Sequence, residues 1–237
     1  MATIRTIGFL GGMTYHSTIP YYSKINQHVQ RLLGSPNWAS IIMHSFSWQE
    51  ANRLFSINDW DGAAHKFIEA AKSMEQSGAK ALVIGCNIGH KLADQVEEEV
   101  NLPVLHIADA TAKVVKSKGL KKIGLLGTRP VMEEGFIKDR LQEKAGLDEI
   151  LVPTEEEWER LNKIVFTELG AGIVSDETRQ WMVSLVKRFT DNGAQAVVLA
   201  CTDFQFILRE EDVGPGVLID TLEVHAEYIA EWSIGKE

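Results

Sequence analysis

The sequence predicts an α/β protein of two pseudo-symmetric halves, each a mainly parallel sheet flanked by helices, with the active site between them. Two segments point to this fold: SGAKALVIGCNIGH at residues 77–90 and NGAQAVVLACTDF at residues 192–204. Each runs from a Gly-Ala turn through an unbroken apolar stretch to a cysteine. Such runs are typical of strands that are buried on both faces of a parallel sheet.

A repeat along the chain is the second observation. RTIGFLGG near the start is echoed by KKIGLLGT. The matching pairs are Ile7 with Ile123, Cys86 with Cys201 and Val104 with Val217, at offsets of 116, 115 and 113 residues. Three anchors at nearly one offset predict homologous halves, each running strand, helix, strand, helix, strand. We place these halves at residues 1–115 and 116–237, and we expect the C-terminal helix to pack on the first.

The first half is predicted to open with a strand that ends in the turn Gly11-Gly12-Met13-Thr14. Glycines in this turn let backbone amides approach a ligand, and the helix N-terminus that follows makes it a candidate anion site. Pro20 is placed in the first turn of that helix, where its missing amide hydrogen is tolerated. The predicted strands cover residues 3–10, 40–44, 81–85 and 104–107, and the predicted helices cover residues 17–33, 60–77, 88–100 and 108–118.

The second half is predicted to repeat this order. A strand at residues 122–126 is expected to open it, and the second cysteine strand ends at Cys201-Thr202-Asp203 before a short helical stretch. Asp220 and Thr221 are expected to cap the closing helix. The remaining predicted elements are helices over residues 133–145, 155–169, 178–192 and 221–230 and a strand over residues 216–220.

Composition excludes several classes of protein. The chain has 237 residues and a formal net charge of −9, which argues against sequence-independent binding of nucleic acid because that needs a basic surface. No apolar run reaches transmembrane length, and the first residues do not resemble a signal peptide. Two cysteines in apolar segments indicate reduced thiols rather than a disulfide framework. We therefore expect a cytoplasmic protein with no membrane or nucleic-acid partner.

The two cysteines are the strongest candidates for chemistry. A single buried cysteine is usually a small core residue, but Cys86 and Cys201 end equivalent strands, and each enters a helix whose N-terminus favours a thiolate. Two matched acid/base groups suit the inversion of a carbon stereocentre, where one removes a proton and the other returns one to the opposite face. The carboxylate of the substrate must then be stabilised, and Asn87, Thr202 and the Met13-Thr14 turn are placed for that work.

Other polar residues have two interpretations each. Gln49 follows the second strand, so it is a candidate substrate ligand or part of a helix start. Arg160 and Lys163 lie one turn apart on a predicted helix, where they would either hold a substrate carboxylate or form a solvated face. His90 lies four residues after Cys86, but this pair has too few ligands for a zinc site. We therefore predict no zinc site at Cys86.

Several motifs together resemble the cofactor-independent aspartate/glutamate racemase family, and within it the broad-specificity amino-acid racemases. These motifs are IGFLGGMT at residues 7–14, STIPYYSKIN at 17–26, HIADAT at 106–111, LLGTRPVME at 125–133 and ACTDF at 200–204. The resemblance implies two α/β halves, catalysis without pyridoxal phosphate or metal, and a homodimer.

The resemblance also assigns residues. It implies that Cys86 and Cys201 are the two acid/base groups, and that the polar residues around them bind a small amino or carboxylic acid. Ile88 stands where family members usually carry threonine, and Asp203 stands where they often carry glutamate. Both belong to the predicted binding set.

Four hypotheses remain open from the sequence. The leading one is a two-thiol racemase or epimerase. The alternative is a one-thiol isomerase, decarboxylase or other enzyme acting on a small carboxylic acid; the presence of both thiols favours the racemase, while Ile88 keeps this alternative open. A non-catalytic small-molecule binder and a disulfide between the two cysteines are the others.

Overall fold

The computed structural model describes residues 4–236, and it contains two compact units. The first unit comprises residues 4–107 together with residues 225–236, and the second comprises residues 108–224. Each unit holds a parallel sheet flanked by helices, which confirms the predicted fold class. Within the described range, no helix is both long and apolar enough to cross a membrane.

The two sheets have related topologies. Residues 4–236 contain seven strands, which are β1 (Ile7–Gly11), β2 (Ile41–Ser45), β3 (Ala81–Ile84), β4 (Lys122–Gly127), β5 (Glu149–Leu151), β6 (Ala196–Ala200) and β7 (Leu218–Asp220). The first sheet has the order β2-β1-β3 and the second has the order β5-β4-β6-β7. All pairings are parallel, so the carboxyl ends of the strands in each sheet lie at one edge.

The predicted strand over residues 104–107 is wrong. Val104 forms a single isolated bridge with Leu82, because the next helix begins at Ile107 and leaves too few residues for a strand. At the chain start, the predicted first strand includes residue 3, which lies outside the described residues. Its observed part begins at Ile7.

The α-helices assigned within the described range follow in chain order. They are α1 (Tyr15–Leu33), α2 (Trp48–Ser56), α3 (Trp60–Gln76), α4 (Ala93–Glu99), α5 (Ile107–Ser117), α6 (Arg129–Glu133), α7 (Gly135–Ala145), α8 (Glu155–Lys163), α9 (Asp176–Asp191), α10 (Glu210–Val213) and α11 (Thr221–Ser233). Helix α1 begins two residues earlier than predicted, because Thr14 caps it and accepts a hydrogen bond from the Ser17 N–H. Pro20 therefore lies in the second turn rather than the first.

Three predicted helices are interrupted. Residues 88–100 form a 3-10 turn, Ile88–Leu92, followed by α4. Residues 133–145 are divided between α6 and α7 because Glu134 has extended backbone angles. After α8 the chain continues as a π-helical turn, Ile164–Glu168, and a short 3-10 turn, Leu169–Ala171.

The repeat is visible in how β1 and β4, the first strands of the two sheets in chain order, pack against helices. A Cβ atom built on Gly8 of β1 would lie 2.7 Å from the sulfur of Met74, and one built on Gly124 of β4 would lie 2.4 Å from the ring of Phe189. Met74 belongs to α3 and Phe189 to α9, the helices that precede the two cysteine strands. In both units, a glycine makes room for a large apolar side chain from the equivalent helix.

Apolar burial stabilises each unit separately. Helix α3 buries Phe67, Ala71 and Met74 in the core of the first unit. In the second unit, Leu126, Leu199 and other residues pack around α9. Each large side chain buried in this way contributes about 1.5–3 kcal/mol. This packing fixes the strand ends that carry the two cysteines.

Candidate active site

Cys86 follows directly from the carboxyl end of β3. The Gly85 N–H donates to the Leu10 carbonyl at 2.8 Å, which keeps the chain beside β1 just before the cysteine. The Cys86 side chain is a thiol, and the residue is only 8% exposed. The Gly89 N–H donates to its Sγ atom at 3.4 Å. An amide hydrogen directed at sulfur favours the anionic form of the thiol.

The Gly-Gly turn lies at the same edge of the first sheet. Leu10 pairs with Ile84 in the register of β1 and β3, so the turn after β1 and the Cys86 loop are neighbours. Gly12 has φ of 86°, and a Cβ atom there would lie 2.2 Å from the Phe46 carbonyl oxygen. Only glycine therefore fits between the turn and the loop that follows β2.

The predicted ligands beside Cys86 are mostly buried. Met13 and Cys86 belong to one apolar cluster, Asn87 is 2% exposed, and Thr14 caps α1. Ile88 is partly buried and packs against the same cluster. The first unit thus brings together four of the predicted binding residues and Cys86.

Gln49 is placed differently. It is the second residue of α2, and its side chain is exposed. The loop before it does reach the sheet edge, since the Phe46 N–H donates to the Gly11 carbonyl at 2.9 Å. Gln49 therefore lies in the first turn of a helix, which is the second of its two interpretations. Ser47, at the cap position of this helix, makes no side-chain capping bond.

Cys201 follows β6 in the second unit. It is 8% exposed, and Thr202 and Asp203 after it are each 4% exposed. The Phe204 N–H donates to the Cys201 carbonyl at 3.0 Å, and the fully buried Phe204 ring anchors this turn. A buried thiol with buried polar neighbours is therefore present at the carboxyl end of the equivalent strand.

The chain matches a known family model. The model described as Asp/Glu/Hydantoin racemase covers residues 10–229, which is nearly the whole length. The chain belongs to the Asp/Glu/Hydantoin racemase family. Its named relatives are racemases, and racemases are isomerases.

Relatives over the full length support this membership. An Asp/Glu racemase candidate from Yersinia pestis has a crystal structure with 39% identity and a TM-score of 0.87, and the match covers 97% of this chain and 99% of that chain. An aspartate racemase homologue from Pyrococcus horikoshii OT3 is 33% identical with a TM-score of 0.78, at the same coverages of 97% and 99%. The broad specificity amino-acid racemase RacX of Bacillus subtilis (strain 168) is 24% identical over 206 residues, which is 85% of this chain and 87% of that protein.

Thr128 is a candidate substrate-binding residue that the sequence analysis did not identify. It follows β4, whose Gly127 pairs with Ala200 directly before Cys201. Thr128 is 4% exposed, and its Oγ1 atom is buried without a hydrogen-bond partner in the structure. Its position repeats that of Gly12 at the 116-residue offset, so the repeat was the signal that could have identified it.

Arg160 and Lys163 line a surface cleft of about 760 Å³ in the second unit. Both side chains are exposed on α8, and Arg160 lies 3.3 Å from Glu177 and 4.4 Å from the ring centre of Trp181. The described lining residues include four glutamates and no residue of the Cys201 loop. The structure therefore does not bring these two cations to the thiol.

Three buried histidines of the first unit were also not assigned a role from the sequence. His90, His106 and His225 are between 0% and 4% exposed. The ring of His90 lies 4.5 Å from that of His106 and 5.8 Å from that of His225. No sequence pattern connects them, because His225 comes from α11, far along the chain.

Proposed function

We propose that this protein is an amino-acid racemase in which Cys86 and Cys201 exchange the Cα proton of one substrate. The observation that carries the proposal is the equivalence of the two thiols. Both are buried, and each follows the strand that pairs with the first strand of its sheet in chain order, β3 beside β1 and β6 beside β4. The ligand-binding edge of a parallel α/β sheet is the edge where these strands end.

The proposed reaction needs no external oxidant or reductant. One thiolate takes the Cα proton and becomes a thiol, while the other thiol gives its proton to the opposite face of Cα and becomes a thiolate. The electron pair of the broken C–H bond is held on the substrate carboxylate between these steps. Stabilising that charge is the main task of the surrounding donors.

The residues around each thiol are proposed to hold the substrate. On the first unit these are the Met13-Thr14 turn, Asn87 and Ile88, and on the second unit they are Thr202 and Asp203. Ile88 would contact the substrate with carbon atoms rather than a hydroxyl group. Gln49, Arg160 and Lys163 stay predicted ligands, and each would need its exposed side chain to reach the substrate.

We further propose that the enzyme works without a cofactor, as a homodimer in the cytoplasm. The pair of thiols supplies both proton transfers, so the reaction scheme has no step for a cofactor. A reducing compartment would keep both cysteines as thiols. Size-exclusion chromatography with light scattering tests the dimer. Activity after exhaustive dialysis against a chelator tests for a metal, and the visible absorbance spectrum of the protein tests for pyridoxal phosphate.

The decisive experiment is incorporation of solvent deuterium at Cα. The protein is incubated in heavy water with a panel of single-enantiomer amino acids, in parallel with Cys86→Ser and Cys201→Ser. We expect deuterium in the inverted product of at least one amino acid and loss of turnover in both variants. If no amino acid on a broad panel exchanges, the proposal is wrong.

A one-thiol reaction on a small carboxylic acid is the second candidate. The observation that favours it is Ile88, which supplies no hydroxyl beside Cys86. Under this alternative one of the two serine variants keeps its turnover, and non-amino carboxylic acids are the substrates to test.

A further inference from the structure

A buried group of polar rings lies behind the Cys86 loop. Tyr21, His90, His106 and His225 come from four separate parts of the first unit and are each at most 4% exposed. The rings of Tyr21 and His225 meet edge to face, with centres 5.8 Å apart. Polar groups buried to this degree are stable only when hydrogen bonds satisfy them.

The hydrogen bonds of His225 define where its proton lies. Nε2 lies 2.7 Å from the carbonyl oxygen of Leu105, which can only accept, so Nε2 carries the hydrogen. Nδ1 lies 3.0 Å from the Tyr21 hydroxyl, which then donates to it. These bonds attach α11 to α1 and to the segment before α5.

His90 has the opposite tautomer. Its Nδ1 lies 2.8 Å from the carbonyl oxygen of Cys86, so Nδ1 carries the hydrogen and donates it. Its Nε2 accepts the Ile107 N–H at 3.1 Å. Both ring nitrogens are thus used by backbone groups, and one of those groups belongs to the cysteine.

The 3-10 turn explains why a side chain is needed here. In an α-helix the Cys86 carbonyl would accept the backbone N–H of residue 90. That N–H instead donates to the Asn87 carbonyl at 3.1 Å, which is the 3-10 pattern. The His90 ring supplies the missing donor, and the turn keeps the geometry in which the Gly89 N–H meets Cys86 Sγ.

We propose that His90 is a positioning residue for the Cys86 thiol, acting through the hydrogen bond from Nδ1 to the Cys86 carbonyl. The proposal rests on the proposed role of Cys86 in proton transfer. His90 does not exchange a proton with the substrate. His90 fixes the peptide plane of Cys86. His225, which Tyr21 holds in place, bonds to Leu105 and so fixes the segment whose Ile107 N–H binds the other nitrogen of the His90 ring.

Two substitutions separate the bonds of His90. In His90→Asn the side-chain nitrogen occupies the place of Nδ1, so the bond to Cys86 is kept and the bond to Ile107 is lost. In His90→Gln the side-chain oxygen occupies the place of Nε2, so the bond to Ile107 is kept and the bond to Cys86 is lost. His65→Asn is the matched control, because the His65 side chain is 73% exposed on α3.

Three quantities are measured on each variant: the melting temperature, kcat and KM with the substrate found by deuterium exchange, and the rate at which iodoacetamide alkylates each cysteine. Peptide mass spectrometry gives the alkylation of Cys86 relative to Cys201 within one sample. This ratio does not depend on racemase activity, so it tests His90 even if the proposed function fails.

We expect both His90 variants to melt at lower temperature, because each breaks one buried bond. Only His90→Gln should lose kcat, by about tenfold or more with little change in KM, and only it should lower the Cys86 alkylation ratio. His90→Asn should keep kcat and the Cys86 alkylation ratio within about threefold of the values of the parent protein. A threefold change corresponds to a free energy no larger than that of one modest hydrogen bond. Equal effects of the two variants on kcat and alkylation, or loss in His90→Asn alone, would overturn the proposal.

Discussion

The backbone N–H of Gly89 lies 3.4 Å from the Sγ atom of Cys86, and no larger residue fits at this position. A Cβ atom on Gly89 would lie 3.0 Å from Cys86 Sγ and 2.7 Å from the Ile84 side chain. We expect Gly89→Ala to cost about 1–3 kcal/mol of folding stability through overpacking and to abolish most turnover. Thermal unfolding and a racemisation assay measure the two effects.

Gly124→Ala is the matched control for this variant. Its Cβ atom would meet the Phe189 ring at 2.4 Å in the second unit, far in sequence from Cys86. We expect a comparable loss of stability with an unchanged rate of Cys86 alkylation. If both alanine variants slow alkylation alike, general destabilisation explains the effect and the Gly89 contact does not.

Thr128→Val should separate function from stability. The Thr128 Oγ1 atom is buried and unpartnered in the structure, so replacing the hydroxyl by a methyl group of similar shape should leave stability unchanged or raise it by up to about 1 kcal/mol. If this hydroxyl binds the substrate, KM should rise several-fold. Melting temperature and steady-state kinetics give both answers.

The same substitution at Thr221 is the control. Thr221 is 2% exposed and its Oγ1 donates to the Leu199 carbonyl at 2.7 Å. Thr221→Val leaves that carbonyl without its donor and should cost about 1–3 kcal/mol. A Thr128 variant that is equally destabilised would show that its hydroxyl is bonded after all.

Asp109 makes stability depend on pH. Burial alone would raise the pKa of this carboxyl, but hydrogen bonds and charge from Arg140 and Lys144 together hold its pKa below the usual value. Because the pKa of Asp109 is lower in the folded protein than in the unfolded chain, the carboxylate stabilises the fold at pH values above the unfolded pKa of about 3.9. This stabilisation is lost as the pH falls through the pKa of the folded protein. We expect Asp109→Asn to lose about 1 kcal/mol at pH 7.

The melting temperatures of the parent and Asp109→Asn should therefore converge as the pH falls below about 4. A constant difference from pH 7 to pH 3 would contradict the charge-based explanation. Glu99→Gln serves as the control, since the pair between Glu99 and Lys72 is exposed. We expect no measurable change in melting temperature from that substitution.

Gly12→Ala tests how tightly the first turn is packed. Gly12 combines a positive φ with a Cβ position 2.2 Å from the Phe46 carbonyl, so strain and collision should together cost more than about 2 kcal/mol. Gly119 has φ of 66° with open space around it, and Gly119→Ala should show only the strain, about 1–2 kcal/mol. Equal melting temperatures for the two variants would mean that the turn can move away from Phe46.

The sequence predicts the strand framework well because that framework depends on local apolar patterns and on the repeat. The runs before Cys86 and Cys201 indicated β3 and β6, and the 116-residue offset matched Ile7 of β1 with Ile123 of β4. β5 was not predicted, because its three residues are too few to form a pattern and none of them is an anchor of the repeat, unlike the segment that contains the equally short β7.

Long-range hydrogen bonds could not be predicted in this way. The 3-10 turn after Cys86 depends on the His90 ring, and that ring is held by Ile107 and packs near His225. The Tyr21–His225 bond joins residues 204 positions apart. Spacing placed Arg160 and Lys163 on one helix. It could not show that glutamates from several elements surround them, because only the fold brings these residues together.

The first unit takes its last helical residues from the end of the chain, and this sets an order for cotranslational folding. His225 bonds to Leu105, and the Arg5 N–H donates to the Ser233 carbonyl. At a synthesis rate of about 5–20 residues per second, the ribosome makes residue 225 roughly 6–25 s after residue 107. The ribosome makes all of the second unit in that interval, so the first unit can form its hydrogen bonds to His225 only after the second unit has been synthesised.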